Sequence, residues 1–228
     1  MSATPLTPES LAALIDHTFL KAAGTPADIE RLCQEAIQYR FGVVMVHPCE
    51  VGRCLRLLDG APVKVGTVAG FPLGQNTPAV KRFEIRDGLQ NGAREIDLVM
   101  NIRALQAGEE RVVRDEMADL AEACREAGAV SKIILETVYL TDDQKRRACR
   151  LAVEAGVDFV KTSTGLAGGG ATVADVRLMA EAVAGRAQVK AAGGIRTLAD
   201  ARAMIAAGAT RLGCSAGVAI LRELGVGR

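Results

Sequence analysis

Two lysines, Lys161 and Lys190, stand near the ends of otherwise apolar segments, FVKTSTG and QVKAAGG. A lysine amine becomes nucleophilic near neutral pH when burial, or a second cation nearby, lowers its pKa. Two lysines on neighbouring strands could therefore activate one of them to form a Schiff base with a carbonyl compound. The alternative is structural: the lysines pack their aliphatic stems against apolar residues or form an ion pair with Asp97.

Carboxylates occupy comparable positions at the ends of other apolar segments. Asp97 lies within EIDLVM, where an acid beside a reactive amine could transfer protons during carbinolamine and enamine steps. Alternatively, its carboxylate only compensates a lysine or accepts backbone N–H groups. Asp16 and Thr18 end the segment LIDHT. Glu136 follows SKIIL and is interpreted as a further acid or an arginine partner, with no catalytic role predicted.

Three glycine-rich segments, STGLAGGGAT, AAGGIRT and LGCSAG, follow the last three apolar segments. Glycine lets backbone N–H groups approach an anion closely, and a helix N-terminus that follows adds partial positive charge. Together the segments indicate a site for a phosphate monoester. The alternative for each one is simple turn geometry, because a short loop between strand and helix also requires glycine.

The composition argues against a nucleic acid or a membrane surface as partner. The 228 residues include 28 Lys and Arg against 27 Asp and Glu, with five Phe, two Tyr and no Trp. A formal charge of +1 and so few aromatic rings are not typical of a general nucleic-acid binder. We find no long apolar span and no secretory leader, and we therefore expect a cytoplasmic protein whose partner is a small molecule.

Neither the cysteines nor the histidines predict a metal site. Six cysteines are dispersed without a C-x-x-C pair, and such cysteines usually act as small core residues. The two histidines, His17 and His47, have no third clustered ligand. We expect no metal and no cofactor.

The chain repeats a short β-branched segment followed by an amphipathic stretch, which predicts a single α/β domain over residues 1–228. Helix-ending glycines are predicted at five places, and Thr141 with Gln144 forms a predicted capping box. In EERVVRDEMADLAEACREAG, one apolar face contains Val112, Val113, Met117, Leu120, Ala121 and Cys124. Eight strands are predicted, within LIDHT, GVVMVH, VKVGTVAG, REIDLVMN, SKIILET, VDFVKTST, QVKAAGG and TRLGCS.

Alternating strands and helices fit an open doubly wound sheet or a closed (β/α)8 barrel. The open dinucleotide-binding sheet would show G-x-G-x-x-G after its first clear strand, and GVVMVHPCEVG does not. The sequence therefore favours a (β/α)8 TIM barrel, with a short N-terminal helix before the first strand. In such barrels chemistry takes place at the C-terminal ends of the strands.

Six motifs, DHTFLK, GFPLG, EIDLVMN, FVKTSTG, VKAAGGIRT and LGCSAG, resemble those of the deoxyribose-phosphate aldolase family. The resemblance implies a class I aldolase that interconverts 2-deoxy-D-ribose 5-phosphate with D-glyceraldehyde 3-phosphate and acetaldehyde. It implies Lys161 as the Schiff-base lysine, Lys190 as the lysine that perturbs it, Asp97 as a proton relay and Asp16 as a partner near Lys190. Substrate contacts implied are Thr18, Gly165, Gly193, Gly194, Gly213 and Ser215.

The resemblance is incomplete at Met45, His47 and Leu166, where other members carry different residues. The implied cycle uses the imine as the electron sink for cleavage, placed here between C3 and C4. Family members also suggest a homodimer or homotetramer. Two rival hypotheses are a pyridoxal-phosphate enzyme with the cofactor on Lys161 and a non-catalytic phosphosugar-binding barrel.

Overall fold

Short runs of β-branched and aliphatic residues form eight parallel strands that close into a barrel in chain order. The computed structural model describes residues 6–226, so residues 1–5 and 227–228 of the predicted domain lie outside the described part. The predicted (β/α)8 barrel is confirmed. The strands are β1 Ile15–Phe19, β2 Val43–Val46, β3 Lys64–Ala69, β4 Glu95–Val99, β5 Val130–Ile134, β6 Phe159–Lys161, β7 Gln188–Ala192 and β8 Arg211–Cys214.

Helices connect the strands, and the short helix α1 precedes β1 as the sequence predicts. Single turns of 3-10 helix cover Pro48–Glu50 and Thr137–Tyr139. No helix within residues 6–226 has both the length and the apolar character needed to cross a membrane. The helices are α1 Pro8–Ala13, α2 Pro26–Tyr39, α3 Val51–Leu57, α4 Pro78–Gln90, α5 Ile102–Ala107, α6 Glu110–Glu126, α7 Asp142–Ala155, α8 Val173–Val183, α9 Leu198–Ala206 and α10 Gly217–Glu223.

The helix ends follow the local signals in the sequence, except that α2 and α8 each end at a left-handed residue other than glycine, Arg40 and Ala184. Thr141 and Gln144 form the capping box of α7, and Gly156 ends that helix with φ of +78°. By contrast, α2 ends at Arg40 with φ of +56°. A residue other than glycine rarely adopts this left-handed backbone conformation, and no glycine at this position predicted the helix end from the sequence.

Helix α6 buries most of the predicted apolar face, and it also buries a charge. Val113, Met117 and Leu120 are fully buried, whereas Val112 is only half-buried. Glu116 lies on the same face, and its Oε2 is 2.7 Å from Nζ of Lys81 on α4. Because both side chains are buried, the two helices are joined by an ion pair that the apolar pattern did not predict.

The apolar core lies mainly between the strands and the surrounding helices, while the barrel interior contains charged side chains. Side chains of successive strand residues point to opposite faces, so Glu95 and Asp97 of β4 share one face. Both are completely buried, as is Lys132 on the neighbouring strand β5. The barrel therefore positions a set of charges in its interior.

Candidate active site

The four residues predicted to be catalytic come from four strands and lie together in the barrel. Lys161 is the last residue of β6, and Lys190 stands directly beside it in the register of β7. Asp97 lies in β4 and Asp16 in β1. All four are at least 97% buried, with Lys161 the most exposed at 3%.

The carboxylate of Asp97 contacts three lysines. Its Oδ2 is 2.7 Å from Nζ of Lys161 and 2.8 Å from Nζ of Lys190. Its Oδ1 is 2.9 Å from Nζ of Lys132. The amines of Lys161 and Lys190 thus share one carboxylate oxygen, which keeps the two side chains close together.

Asp16 anchors the other side of Lys190. The Lys190 ammonium donates to Oδ2 of Asp16, and Nη1 of Arg211 lies 2.7 Å from Oδ1 of the same carboxylate. Each carboxylate oxygen of Asp16 therefore contacts a cationic group. The structure brings it next to Lys190, where the family resemblance had implied it.

Three charged residues of this network were not among the predicted site residues: Glu95, Lys132 and Arg211. Nζ of Lys132 lies 2.5 Å from Oε2 of Glu95, and Nη1 of Arg211 lies 3.4 Å from both Glu95 oxygens. A signal for two of them was present in the sequence. Glu95 stands two residues before Asp97 and so shares its face of the strand, and Lys132 precedes two isoleucines in an apolar segment.

Burial is the main reason why the pKa of Lys161 falls to about 8. Asp97 opposes this shift, whereas the charges of Lys190 and Lys132 add to it. Burial alone would raise the pKa of Asp97, but the three lysines around it hold that pKa well below its usual range. At pH 7 about a tenth of Lys161 is therefore neutral, a far larger fraction than for an ordinary lysine, while Asp97 stays ionised.

A cavity of about 450 Å³ opens above this network and is lined by Lys161. The other three predicted catalytic residues do not line it, because they lie beneath the amine. All the residues predicted to contact substrate do line it: Thr18, Gly165, Gly193, Gly194, Gly213 and Ser215. Three cationic residues that the sequence did not single out also reach this cavity: Lys21, Arg31 and Arg196.

The glycine-rich loops of this cavity pack backbone against backbone. Gly193 has φ of +89°, and a Cβ placed on it would lie 3.0 Å from Cα of Gly170 and 3.4 Å from Cα of Gly165. Gly213 serves a second purpose, because a Cβ there would lie 3.0 Å from Cε of Lys190. Glycine at this position therefore makes room for the lysine as well as lining the cavity.

Polar contacts fix the rim of the cavity. Oε2 of Glu136 accepts a hydrogen bond from the backbone N–H of Thr164 at 3.0 Å, which holds the loop that begins after β6. Glu136 itself has φ of +56°, a strained conformation that marks its role as a loop anchor. On the opposite side, Nε2 of His17 lies 2.7 Å from Oε2 of Glu35 on α2.

The described residues contain no cluster of three or more His, Cys, Asp or Glu side chains able to hold a metal ion. His17 bonds to Glu35, and Nε2 of His47 lies 3.2 Å from the carbonyl oxygen of Leu20. Each histidine therefore has a polar partner within the protein.

Comparison with known proteins places this geometry in a family. Residues 10–224 match the family model described as DeoC/LacD family aldolase. The chain belongs to this family. Deoxyribose-phosphate aldolase of Bacteroides thetaiotaomicron is 54% identical over 216 residues, which cover 95% of this chain and 91% of that protein. The same enzyme of Carboxydothermus hydrogenoformans is 52% identical, covering 94% and 95%.

A solved structure supports the same relation. The deoxyribose phosphate aldolase of Aeropyrum pernix, described as having a unique tetrameric structure, is 33% identical to this DeoC/LacD aldolase. The two chains superpose with a TM-score of 0.90, over 96% of this chain and 93% of that one. The likeness thus extends over the whole barrel.

We predict that the reactivity of Lys161 in this DeoC/LacD aldolase depends on pH with a midpoint near pH 8. Only the neutral amine is a nucleophile, so its rate of reductive methylation by formaldehyde and cyanoborohydride should fall about tenfold per pH unit below the midpoint. Peptide mapping of protein labelled between pH 6 and 9 measures this rate.

Lys145 is the internal control in the same digests. Burial tends to lower its pKa, but Asp175 and Asp142 outweigh burial and raise it, so its labelling should still be increasing at pH 9. A Lys161 profile that rises in parallel with that of Lys145 would contradict the prediction.

Proposed function

We propose that this chain is a class I aldolase that interconverts 2-deoxy-D-ribose 5-phosphate with D-glyceraldehyde 3-phosphate and acetaldehyde. The observation that carries the proposal is the position of Lys161, which is buried, has a lowered pKa and lines the cavity. The substrate is supported by the relatives named deoxyribose-phosphate aldolase that share about half of this sequence.

The cycle begins when the neutral Nζ of Lys161 adds to the C1 aldehyde of the open-chain sugar. The carbinolamine loses water and gives an iminium ion, which accepts the electron pair of the bond that breaks. Acetaldehyde contains two carbons, C1 and C2, so the bond that breaks is C2–C3. The expectation of cleavage between C3 and C4 is therefore wrong on carbon count. The C3 hydroxyl gives its proton to the water released from the carbinolamine, and C3 becomes the aldehyde carbon of glyceraldehyde 3-phosphate.

The second half of the cycle releases the two-carbon product. The enamine left on Lys161 takes a proton at C2 and becomes an iminium ion, and water then adds to C1 and frees acetaldehyde. Asp97 lies within hydrogen-bond distance of Lys190 and also of the reacting nitrogen, Nζ of Lys161. A carboxylate with three lysine partners holds protons poorly at neutral pH. We therefore propose that Lys190 is the source of protons and that Asp97, which contacts both amines, orients them and passes protons from Lys190 toward the reacting nitrogen, with Asp16 holding Lys190.

The phosphate is assigned to the glycine-rich end of the cavity. Gly165, Gly193 and Gly194 all have positive φ, and their loops bring backbone N–H groups to the cavity without side chains in between. Arg196 lines the same cavity and supplies positive charge. Binding the distant phosphate orients C1 toward Lys161, which is how remote contacts accelerate a reaction.

We propose that chains associate as a homodimer or homotetramer and work in the cytoplasm. Phe83 is 69% exposed and Leu73 is 63% exposed, and apolar surface of this kind favours association. All six cysteines are free thiols, as is usual in a reducing compartment. We expect sedimentation of the purified chain to give the mass of two or four copies, whereas a mass of one copy would reject the association. The single catalytic domain of residues 1–228 is part of the same proposal.

We predict that Lys161→Leu loses aldolase turnover by on the order of 10⁴-fold or more, since no other group can form the imine at this position. Borohydride reduction in the presence of acetaldehyde should add one ethyl group to the parent protein and none to the variant. Intact mass measures the addition, and peptide mapping assigns it.

Lys64→Leu is the matched control, because Lys64 is an exposed lysine at the opposite, N-terminal end of the barrel. This variant should gain one ethyl group on reduction with acetaldehyde, and its aldolase turnover should equal that of the parent. Capture that persists in Lys161→Leu would reject the assignment. Absence of capture in the parent would favour the phosphosugar-binding barrel, and visible absorbance of the purified protein would favour the pyridoxal-phosphate enzyme.

We predict that Gly193→Ala raises KM for the sugar phosphate by about tenfold or more. Alanine at a φ of +89° is strained, and its Cβ would push against Gly170, which displaces the phosphate loops. Steady-state kinetics with deoxyribose 5-phosphate and with unphosphorylated deoxyribose measure the effect.

The increase should be confined to the phosphorylated substrate. Gly108→Ala is the control for backbone strain, because Gly108 has φ of +80° with no atom near its Cβ position and lies outside the cavity. An equal rise in KM for both sugars, or in both variants, would argue against a phosphate site at Gly193.

A further inference from the structure

The network buried around Lys161 contains more cationic groups than carboxylates. The network contains three carboxylates, Asp16, Glu95 and Asp97. It contains four cations, Lys132, Lys161, Lys190 and Arg211. With every group ionised, the barrel interior would hold one formal positive charge in excess. An uncompensated buried charge is costly, and such sites usually lose it by a change of protonation.

The contacts of each cation indicate which one releases a proton. Arginine does not deprotonate in proteins, and Arg211 also faces Asp16 and Glu95. Lys132 lies within 4 Å of all three carboxylates, at 2.5 Å from Glu95, 2.9 Å from Asp97 and 3.9 Å from Asp16. Lys190 contacts two carboxylates, Asp16 and Asp97.

Lys161 is the cation with the fewest carboxylate partners, since Asp97 alone contacts it. It is also the one among the three lysines of the network that lines the cavity. Release of its proton leaves three carboxylates and three cations, so the interior becomes formally neutral. The most weakly compensated amine is thus the amine that faces an incoming carbonyl compound.

We propose that Glu95, Lys132 and Arg211 are positioning residues that balance the charges of Asp16 and Asp97, so that Lys161 is the amine that gives up its proton. This inference rests on the proposed function for its meaning, but the charge balance can be measured without it. These three residues form the lower part of the network, which contacts neither the cavity nor the reacting nitrogen.

The strand register explains how these residues act on Lys161 from beneath. Lys132 stands beside Asp97 in the pairing of β4 with β5, and Arg211 stands beside Lys190 in the pairing of β7 with β8. The guanidinium of Arg211 also lies over the ring of Phe159, 5.4 Å from its centroid. Each of these three residues therefore stands on the strand that carries Asp97 or Lys190, or on a strand paired with it.

Other titratable groups near the amine have partners of their own. On β1, His17 bonds to Glu35 of α2. After β5, Glu136 accepts from the backbone of Thr164. On β8, burial raises the pKa of Cys214 to about 12, so its thiol is neutral near pH 7. Burial also lowers the pKa of His17, which favours its neutral ring near pH 7.

The experiment follows the pH midpoint of reductive methylation of Lys161 by formaldehyde and cyanoborohydride in three variants. Glu95→Gln keeps the side-chain volume but removes a negative charge, so the midpoint should fall by about one pH unit. Lys132→Met removes a positive charge, so Lys161 should stay protonated and its midpoint should rise by a similar amount. The double variant restores the balance, and its midpoint should return to that of the parent.

Lys81→Met with Glu116→Gln is the matched control, because it removes a buried ion pair between α4 and α6, outside the barrel interior. Its midpoint should equal that of the parent. If Lys132→Met does not fold, Glu95→Gln and the double variant decide the question. Midpoints that coincide in the parent, in Glu95→Gln and in the double variant would overturn the charge balance.

The labelling with formaldehyde needs no aldolase activity, so the two proposals can fail separately. A parent that is captured by acetaldehyde, combined with unchanged midpoints in the variants, rejects only the charge balance. A parent that is never captured, combined with opposite shifts in the two single variants, rejects the aldolase and retains the charge balance.

Discussion

The barrel interior depends on one buried carboxylate, that of Asp97, which is shared by three lysines. Its two oxygens divide the lysines, with Lys132 on one and both Lys161 and Lys190 on the other. Breaking a buried ion pair costs about 3–5 kcal/mol, because the remaining charge has lost its compensation. Four adjacent strands, β4 to β7, each contribute one member, so the pairing of these strands brings the charge cluster together.

The cluster has a closed side and an open side, and the chemistry follows from that asymmetry. Beneath Asp97, Lys132 and Glu95 are completely buried. Above it, Lys161 meets a cavity with glycine on several sides. Burial tends to lower the pKa of a lysine, and Lys161, which contacts a single carboxylate, is left with a lowered pKa. Lys132 shows the opposite result: burial lowers its pKa, yet three carboxylates outweigh burial and raise it.

The sequence predicted the upper part of this arrangement because charged residues at the ends of apolar strands stand out. Lys161, Lys190, Asp97 and Asp16 were recognised in that way, and family motifs gave them roles that stay predictions. Lys132 escaped notice because attention fell on Glu136, the acidic residue near the end of the segment SKIILET. Its position gave no such reason, since Lys132 stands third in β5 just as Asp97 stands third in β4. Only the family resemblance singled out Lys161 among the lysines. The residues by themselves could not do so, since the choice depends on distances between strands far apart in the chain.

Strand β6 joins the two halves of the site over a very short stretch of chain. It contains only three residues and ends at Lys161, and Gly165 of the glycine-rich loop follows four residues later. Thr162, between them, exchanges hydrogen bonds with Ala192 of β7 through its hydroxyl, which accepts from the backbone N–H at 3.0 Å and donates to the carbonyl at 3.1 Å. Glu136, which follows the other neighbouring strand β5, accepts a hydrogen bond from the backbone N–H of Thr164. The distance between Lys161 and the glycine-rich loop is therefore set by covalent connection and cross-strand bonds. In the proposed function, a substrate whose phosphate is held by this loop would have its aldehyde delivered to one nitrogen.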